Sequence, residues 1–142
     1  MAAKVYMAFD LGASNGRAIA GRFDGQNLTL EVIHRFDNPM IRLPRYQYWD
    51  ALGLFRELLQ ALRIWAARNE GSLSSVGVDT WGVDFALFGR DGTMLGNPIV
   101  YRDPFTEGVM ESLWEELGRA YIFEQTGIQF MSLNTLYQLV AL

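Results

Sequence analysis

The stretch Asp10-Leu11-Gly12-Ala13-Ser14-Asn15-Gly16-Arg17 stands between two apolar runs, Val5-Tyr6-Met7-Ala8-Phe9 before it and Ala18-Ile19-Ala20 after it. Read outward from its centre, it is a strand, a phosphate-sized turn and a second strand. Glycine tolerates positive φ and close backbone approach, so Gly12 and Gly16 would let successive N–H groups turn inward around an anion. Asp10, at the end of a buried strand, would hold Mg²⁺ beside that concavity, because this hard cation takes carboxylate and phosphate oxygens together. The same residues also suit an ordinary hairpin loop. Local sequence leaves both readings open.

Downstream, Asp24-Gly25-Gln26-Asn27 carries hairpin chemistry. Leu28 to Phe36 alternates Leu28, Leu30 and Val32 against Thr29 and Glu31, which predicts a third strand with one solvated face. His34, near its end, has no carboxylate or hydroxyl partner placed by local spacing, and no role is expected of it. Residues 37–48 hold two prolines and no period, so a surface loop is expected. Asp50 is positioned to cap a helix whose stripe is Leu52, Phe55, Leu58, Leu59, Leu62 and Trp65.

A strand at 75–80 follows, then a further extended run at 83–88, a turn at Gly89-Arg90-Asp91-Gly92, and another extended run at 94–101. Thr106 is expected to cap a helix closed by Gly118. A short helical segment over 120–125 ends at Thr126-Gly127, and Asn134 precedes a last helix. Three meandering strands, a helix, more strands and then helices describe an α/β domain with a mixed sheet and helices on its faces.

Val78-Asp79-Thr80-Trp81-Gly82-Val83-Asp84-Phe85 inserts polar residues where the flanks call for a buried strand, and burying carboxylates is costly unless they are paired. In one reading Asp79 caps a loop and Asp84 faces water. In the other, the Trp81 ring and the Gly82 backbone hold a sugar while Asp84 accepts from its hydroxyls, the mixture of apolar face and oriented polar groups that sugar sites use. Arg102-Asp103 is a further candidate, equally readable as a solvated pair before a helix.

With 142 residues, 50% of them hydrophobic, the chain is long enough for a real core. A net charge of −4 without a Lys/Arg run argues against a nucleic-acid partner. Without cysteine and with a single histidine, disulfide frameworks and thiolate or histidine zinc sites are excluded. No run is apolar enough for a signal peptide or a membrane span, so an intracellular, cytoplasmic protein is expected. The last helix lacks a C-cap glycine or a polar tail, and a truncated chain is expected.

These segments, together with His34-Arg35-Phe36, Trp49-Asp50, Tyr101-Arg102-Asp103, Gly127-Ile128-Gln129-Phe130 and Asn134-Thr135-Leu136-Tyr137-Gln138-Leu139, resemble the N-terminal domain of the rhamnulokinase branch of the FGGY carbohydrate kinase family. The resemblance spans nearly the whole chain. Its opening motif is shared with the wider kinase, hexokinase, actin and chaperone ATPase superfamily, whereas the Asp79–Phe85 run is more specific. It implies a ribonuclease-H-like (actin/hexokinase-like ATPase) domain over residues 1–142, the first of two lobes closing on ATP, Mg²⁺ and a ketose. The γ-phosphoryl group would pass to O1 of L-rhamnulose.

By the same resemblance, Gly12, Ala13, Ser14, Asn15, Gly16 and Arg17 would face the ATP phosphates. Asp10 would sit beside the metal and the transferred group, and Asp10, Trp81, Gly82, Asp84 and Arg102 would form the substrate side. The family's catalytic base lies in a His-Asp-Thr segment of the second lobe, beyond Leu142. No catalytic residue is therefore assigned in this chain, its partner is the missing C-terminal lobe, and no turnover is expected of it alone. The alternatives are an L-fuculokinase or other FGGY ketose kinase, a non-catalytic sugar- or nucleotide-binding regulator, and a stand-alone interaction domain. A DNA-binding module ahead of the first strand is not expected, since that strand begins by Val5.

Overall fold

The computed structural model describes residues 4–142, so Met1, Ala2 and Ala3, which precede the opening strand in the sequence reading, lie outside the described residues. The chain divides into two compact units. One holds the residues up to Ile41 together with Trp49–Gly82, and the other holds Arg42–Tyr48 and Val83–Leu142.

The first unit is built on strands β1 (Lys4–Leu11), β2 (Asn15–Phe23), β3 (Leu28–Asp37) and, after helix α1 (Ala51–Ala67), β6 (Ser75–Thr80). The sheet order is β3-β2-β1-β6, with β1 antiparallel to β2 and parallel to β6. Strands β4 (Met40–Arg42) and β5 (Gln47–Trp49) form a separate two-stranded sheet inside the segment expected to be a plain loop. Alternation places Val5, Met7 and Phe9 on one face of β1, where they meet Ala18, Ala20 and Ile33 of the sheet and Ala61 and Trp65 of α1.

Asp50 caps α1 as expected, its Oδ1 accepting from the Gly53 amide at 2.8 Å. The expected stripe holds at Leu58, Leu62 and Trp65, which face the core, and fails at its start. Leu52 and Phe55 are 67% and 59% exposed, while the buried side is Gly53, Ala61 and Trp65. The helix ends where Asn69 takes a left-handed φ of 54° and the Trp65 indole donates to the Gly71 carbonyl at 3.1 Å.

β3 also departs from the simple alternation. Its register to β2 shifts between Ala18 and Ile19, so that Ala18 faces His34 while Ile19 faces Val32. The extra residue, Ile33, is turned into the core, and Leu28, Leu30 and Val32 are left exposed. Strand β6, expected to be buried, is the sheet's edge among the described strands and is exposed along all six residues. The burial penalty anticipated for Asp79 therefore does not arise.

His34 does have a partner. Glu57, 23 positions away on α1, places Oε2 2.8 Å from the His34 Nε2, tying β3 to the helix. This hydrogen bond, ahead of the smaller contributions of Arg56, holds the Glu57 carboxyl below its ordinary range.

The second unit carries a 3₁₀ turn (Pro104–Thr106) and helices α2 (Val109–Leu117), α3 (Arg119–Thr126) and α4 (Thr135–Ala141). Leu113, Ile122 and Tyr137 form its core, flanked by Val109, Met110, Trp114 and Phe130. The runs at 83–88 and 94–101 are not strands. Only isolated bridges, Phe88 to Met94 and Tyr48 to Ile99, survive around a turn held by the Gly89 amide on the Thr93 carbonyl at 2.8 Å. Thr106 caps nothing. Asp103 caps the 3₁₀ turn, accepting from the Phe105 amide, and α2 starts instead after Gly108 at φ 78°. Gly118 closes α2 and Gly127 closes α3, as expected.

Two tests follow from this packing. A Cβ at Gly16 would lie 2.3 Å from Cε2 of the buried Phe36 ring, so Gly16→Ala should cost about 1–3 kcal/mol in urea unfolding, and Phe36→Leu in the same chain should recover most of it. Glu57 is more acidic folded than unfolded, so its contribution is present above its unfolded pKa and is lost as pH falls through the lower folded one. Wild type should lose its stability advantage over Glu57→Gln as the pH drops below about 4, measured by urea midpoints across pH.

Candidate functional site

The turn between β1 and β2 is shorter than the sequence suggests: Asp10 and Leu11 belong to β1, and Asn15, Gly16 and Arg17 belong to β2. What remains is Gly12-Ala13-Ser14, closed by the Gly12 amide on the Asn15 carbonyl at 2.9 Å. Neither Gly12 nor Gly16 has a positive φ, so the expected left-handed route to an anion nest is not the one taken. Close approach is what requires glycine here. A Cβ at Gly12 would lie 2.8 Å from the Asn15 carbonyl oxygen, and one at Gly16 would collide with Phe36.

Asn38, only 3% exposed, braces this turn from outside. Its amide donates to the Ser14 carbonyl at 3.0 Å and its Nδ2 to the Gly12 carbonyl at 3.1 Å. Sequence reasoning missed it inside the expected surface loop. A buried Asn beside Pro39 was the available signal, but its partners are 24 to 26 positions away.

At the C-terminal end of β1, Asp10 is flanked on both sides. Across the antiparallel pair it faces Arg17, whose Nε and guanidinium nitrogen lie 2.8 Å and 2.7 Å from Oδ2. Across the parallel pair it faces Asp79. Directly paired residues of neighbouring strands share a face, so two carboxylates and one guanidinium occupy one row at the strand ends. Both ion-pair side chains are more than 40% exposed, so water screens the pair and leaves it free to rearrange. Trp81, half-buried, stacks in tilted fashion on the buried Trp49 ring at 4.8 Å, and Gly82 is exposed beside it.

In the second unit, Val83 holds a φ of 72°, an outlier for a β-branched residue. Its carbonyl accepts two side-chain hydrogen bonds from α4, from the Thr135 hydroxyl at 3.0 Å and from the Gln138 Nε2 at 3.2 Å. Gln138 is 2% exposed and also donates to the Leu133 carbonyl at 2.7 Å, which fixes its amide. Asp84, the next residue, is half-buried. Val83, Asn134, Thr135 and Tyr137 contribute to the lining of a cavity of about 360 Å³. Asn134 stands at the N-cap of α4, yet its side chain makes no cap bond and donates to the Gln129 carbonyl at 2.8 Å.

Arg102 is exposed, its Nε donating to the Tyr101 hydroxyl at 3.0 Å, and it lines a cavity of about 430 Å³ with Ser132 and Leu133. Asp103 is not the solvated partner considered in the sequence: it is buried and accepts from the amides of Gln47 and Phe105. Among the described residues no helix is long and apolar enough to cross a membrane.

Three antiparallel strands, a helix, and a strand returning parallel beside the first define a ribonuclease-H-like domain of the actin and hexokinase ATPase kind, with charged groups gathered at the strand ends. Solved structures share that fold across nearly the whole chain. A gluconate kinase from Lactobacillus acidophilus matches with a TM-score of 0.81 at 14% identity, over 99% of this chain and 28% of its own. A Plasmodium falciparum glycerol kinase with ADP matches with a TM-score of 0.76 at 16% identity, over 98% of this chain and 28% of its own.

Residues 5–142 match the model of the N-terminal domain of the FGGY family of carbohydrate kinases, and the chain belongs to that family. Among curated relatives, a rhamnulokinase from Bacteroides thetaiotaomicron is 45% identical over 134 residues, 94% of this chain and 27% of that protein. One from Pectobacterium atrosepticum is 45% identical over 144 residues, 100% of this chain and 29% of that protein. The chain thus spans under a third of the length of these relatives.

The bracing of the turn yields a direct test. Asn38→Ala strips the Gly12 carbonyl of its side-chain donor and leaves the backbone bond to the Ser14 carbonyl in place; it should lower stability by about 1–2 kcal/mol while accelerating amide exchange at Gly12 to Asn15, measured by hydrogen exchange followed by NMR or mass spectrometry.

Proposed function

We propose that this chain is the N-terminal domain of an ATP-dependent ketose kinase whose substrate is L-rhamnulose, phosphorylated at O1. The observation that carries the reading is the 45% identity to rhamnulokinases along almost the entire chain. The match of residues 5–142 to an FGGY N-terminal domain and the likeness to a glycerol kinase structure with ADP support the nucleotide side of it.

The donor set suits a hard divalent cation. Asp10 offers carboxylate oxygens at a strand end, with Asp79 at the neighbouring register position, and the short glycine-containing turn brings backbone next to them. Bound Mg²⁺ would neutralise charge on the transferred phosphoryl group. Within this chain, Asp10 holds that charge in place, the Gly12–Arg17 segment lies along the ATP phosphates, and Arg17 exchanges its Asp10 partner for phosphate oxygen. Trp81 and Gly82 supply an apolar wall and open backbone for the sugar, and Asp84 and Arg102 supply its polar contacts.

The proton acceptor for the attacking hydroxyl belongs to a second lobe, and the domain alone has no turnover. An L-fuculokinase is the second reading, favoured by the Gly-Val-Asp and Asn-Thr-Leu-Tyr elements that the two groups share.

Phosphorylation of L-rhamnulose, L-fuculose and D-xylulose by the full-length enzyme is the deciding comparison. A higher kcat/KM for L-rhamnulose is expected, and a clear preference for fuculose would overturn the assignment. Asp10→Asn should lower kcat by about 10²-fold or more without unfolding the protein. The 142-residue chain by itself should release no ADP with ketose present.

A further inference from the structure

We propose that Thr135 and Gln138 are positioning residues that hold Val83 in its left-handed conformation and thereby orient Asp84 toward the sugar. The inference rests on the reading of Asp84 as a sugar contact and deepens it. Val83 is one of two non-glycine residues with positive φ among the described residues, and the other, Asn69, ends a helix where Asn is well tolerated. A β-branched residue has no such tolerance. It remains at φ 72° only because its surroundings impose that state.

What imposes it is visible. Thr135 and Gln138 lie three positions apart on α4, hence on one side of the helix, and both donate to the same Val83 carbonyl. Tyr137, 1% exposed in the core of this unit, anchors α4 between them, and Gln138 is itself locked by its second bond to the Leu133 carbonyl. The clamp therefore transmits the position of α4 to the peptide that joins Val83 to Asp84. Turning that carbonyl away would rotate the Asp84 side chain, since the same peptide plane carries the Val83 oxygen and the Asp84 nitrogen. Neither Thr135 nor Gln138 needs to touch a ligand for this.

The test uses the full-length kinase that contains this chain, with Thr135→Val, which keeps shape and removes the donor, Thr135→Ser, which restores it, and Val83→Gly, which takes positive φ freely. Thr135→Val should raise the ketose KM about fivefold, the worth of one hydrogen bond, with the ATP KM unchanged. Thr135→Ser should return it near wild type, and Val83→Gly should suppress the Thr135→Val defect. Equal rises in both KM values, or a Thr135→Ser enzyme as impaired as Thr135→Val, would overturn the proposal. Failure of the wild type to phosphorylate any ketose would instead count against the functional reading. In that event amide exchange at Asp84 decides the clamp: faster in Thr135→Val and restored in Thr135→Ser supports it, and equal rates overturn it.

Discussion

Strand β1 is hydrogen-bonded along both edges, antiparallel to β2 and parallel to β6, and the first unit depends on that double pairing. The side-chain period of a strand is two, so burying Met7 and Phe9 at 1% and 2% exposure against α1 fixes where every other residue of β1 must point. A slip of one residue would put Asp10 into the apolar core and Phe9 into water. The apolar register is thus what places Asp10 between Arg17 and Asp79. The row of charge at the strand ends is a consequence of core packing.

That order of causes explains what could be seen in the sequence. The β1–turn–β2 unit, the Asp24-Gly25 hairpin, the Asp50 cap, and the closing glycines 118 and 127 all rest on contacts within a few positions, and all are as expected. That glycines belong in this turn was legible, but the reason was not, because Gly12 and Gly16 are needed for close approach and not for positive φ. The bulge that turns Ile33 inward is set by pairing with β2, and no periodicity inside β3 announces it. His34 with Glu57, and Asn38 with the turn, are contacts over 23 to 26 positions that local spacing cannot supply. The runs at 83–88 and 94–101 have strand composition, yet strand propensity reflects a fit to neighbouring strands, and these runs form only isolated bridges.

The Asp10–Arg17 pair and the Val83 clamp hold polar groups in two different ways. An exposed ion pair contributes about 0–1 kcal/mol, so Arg17 does little to fix Asp10, whose place comes from the sheet. A weak pair of this sort suits a site that must exchange partners when a polyanion arrives. Under the proposed function the carboxylate would stay put while the guanidinium moves.

Around Val83 the balance runs the other way. A non-glycine residue in the left-handed region costs about 1–3 kcal/mol, and two side-chain hydrogen bonds contribute about 1 kcal/mol each. These magnitudes nearly cancel, so the conformation is held with little to spare and needs both donors. Folding alone gives no reason to keep valine at that position, since glycine would adopt the same φ without strain. The strained residue stands directly before Asp84 and is braced by a buried glutamine, which is the arrangement that the proposed positioning of Asp84 requires.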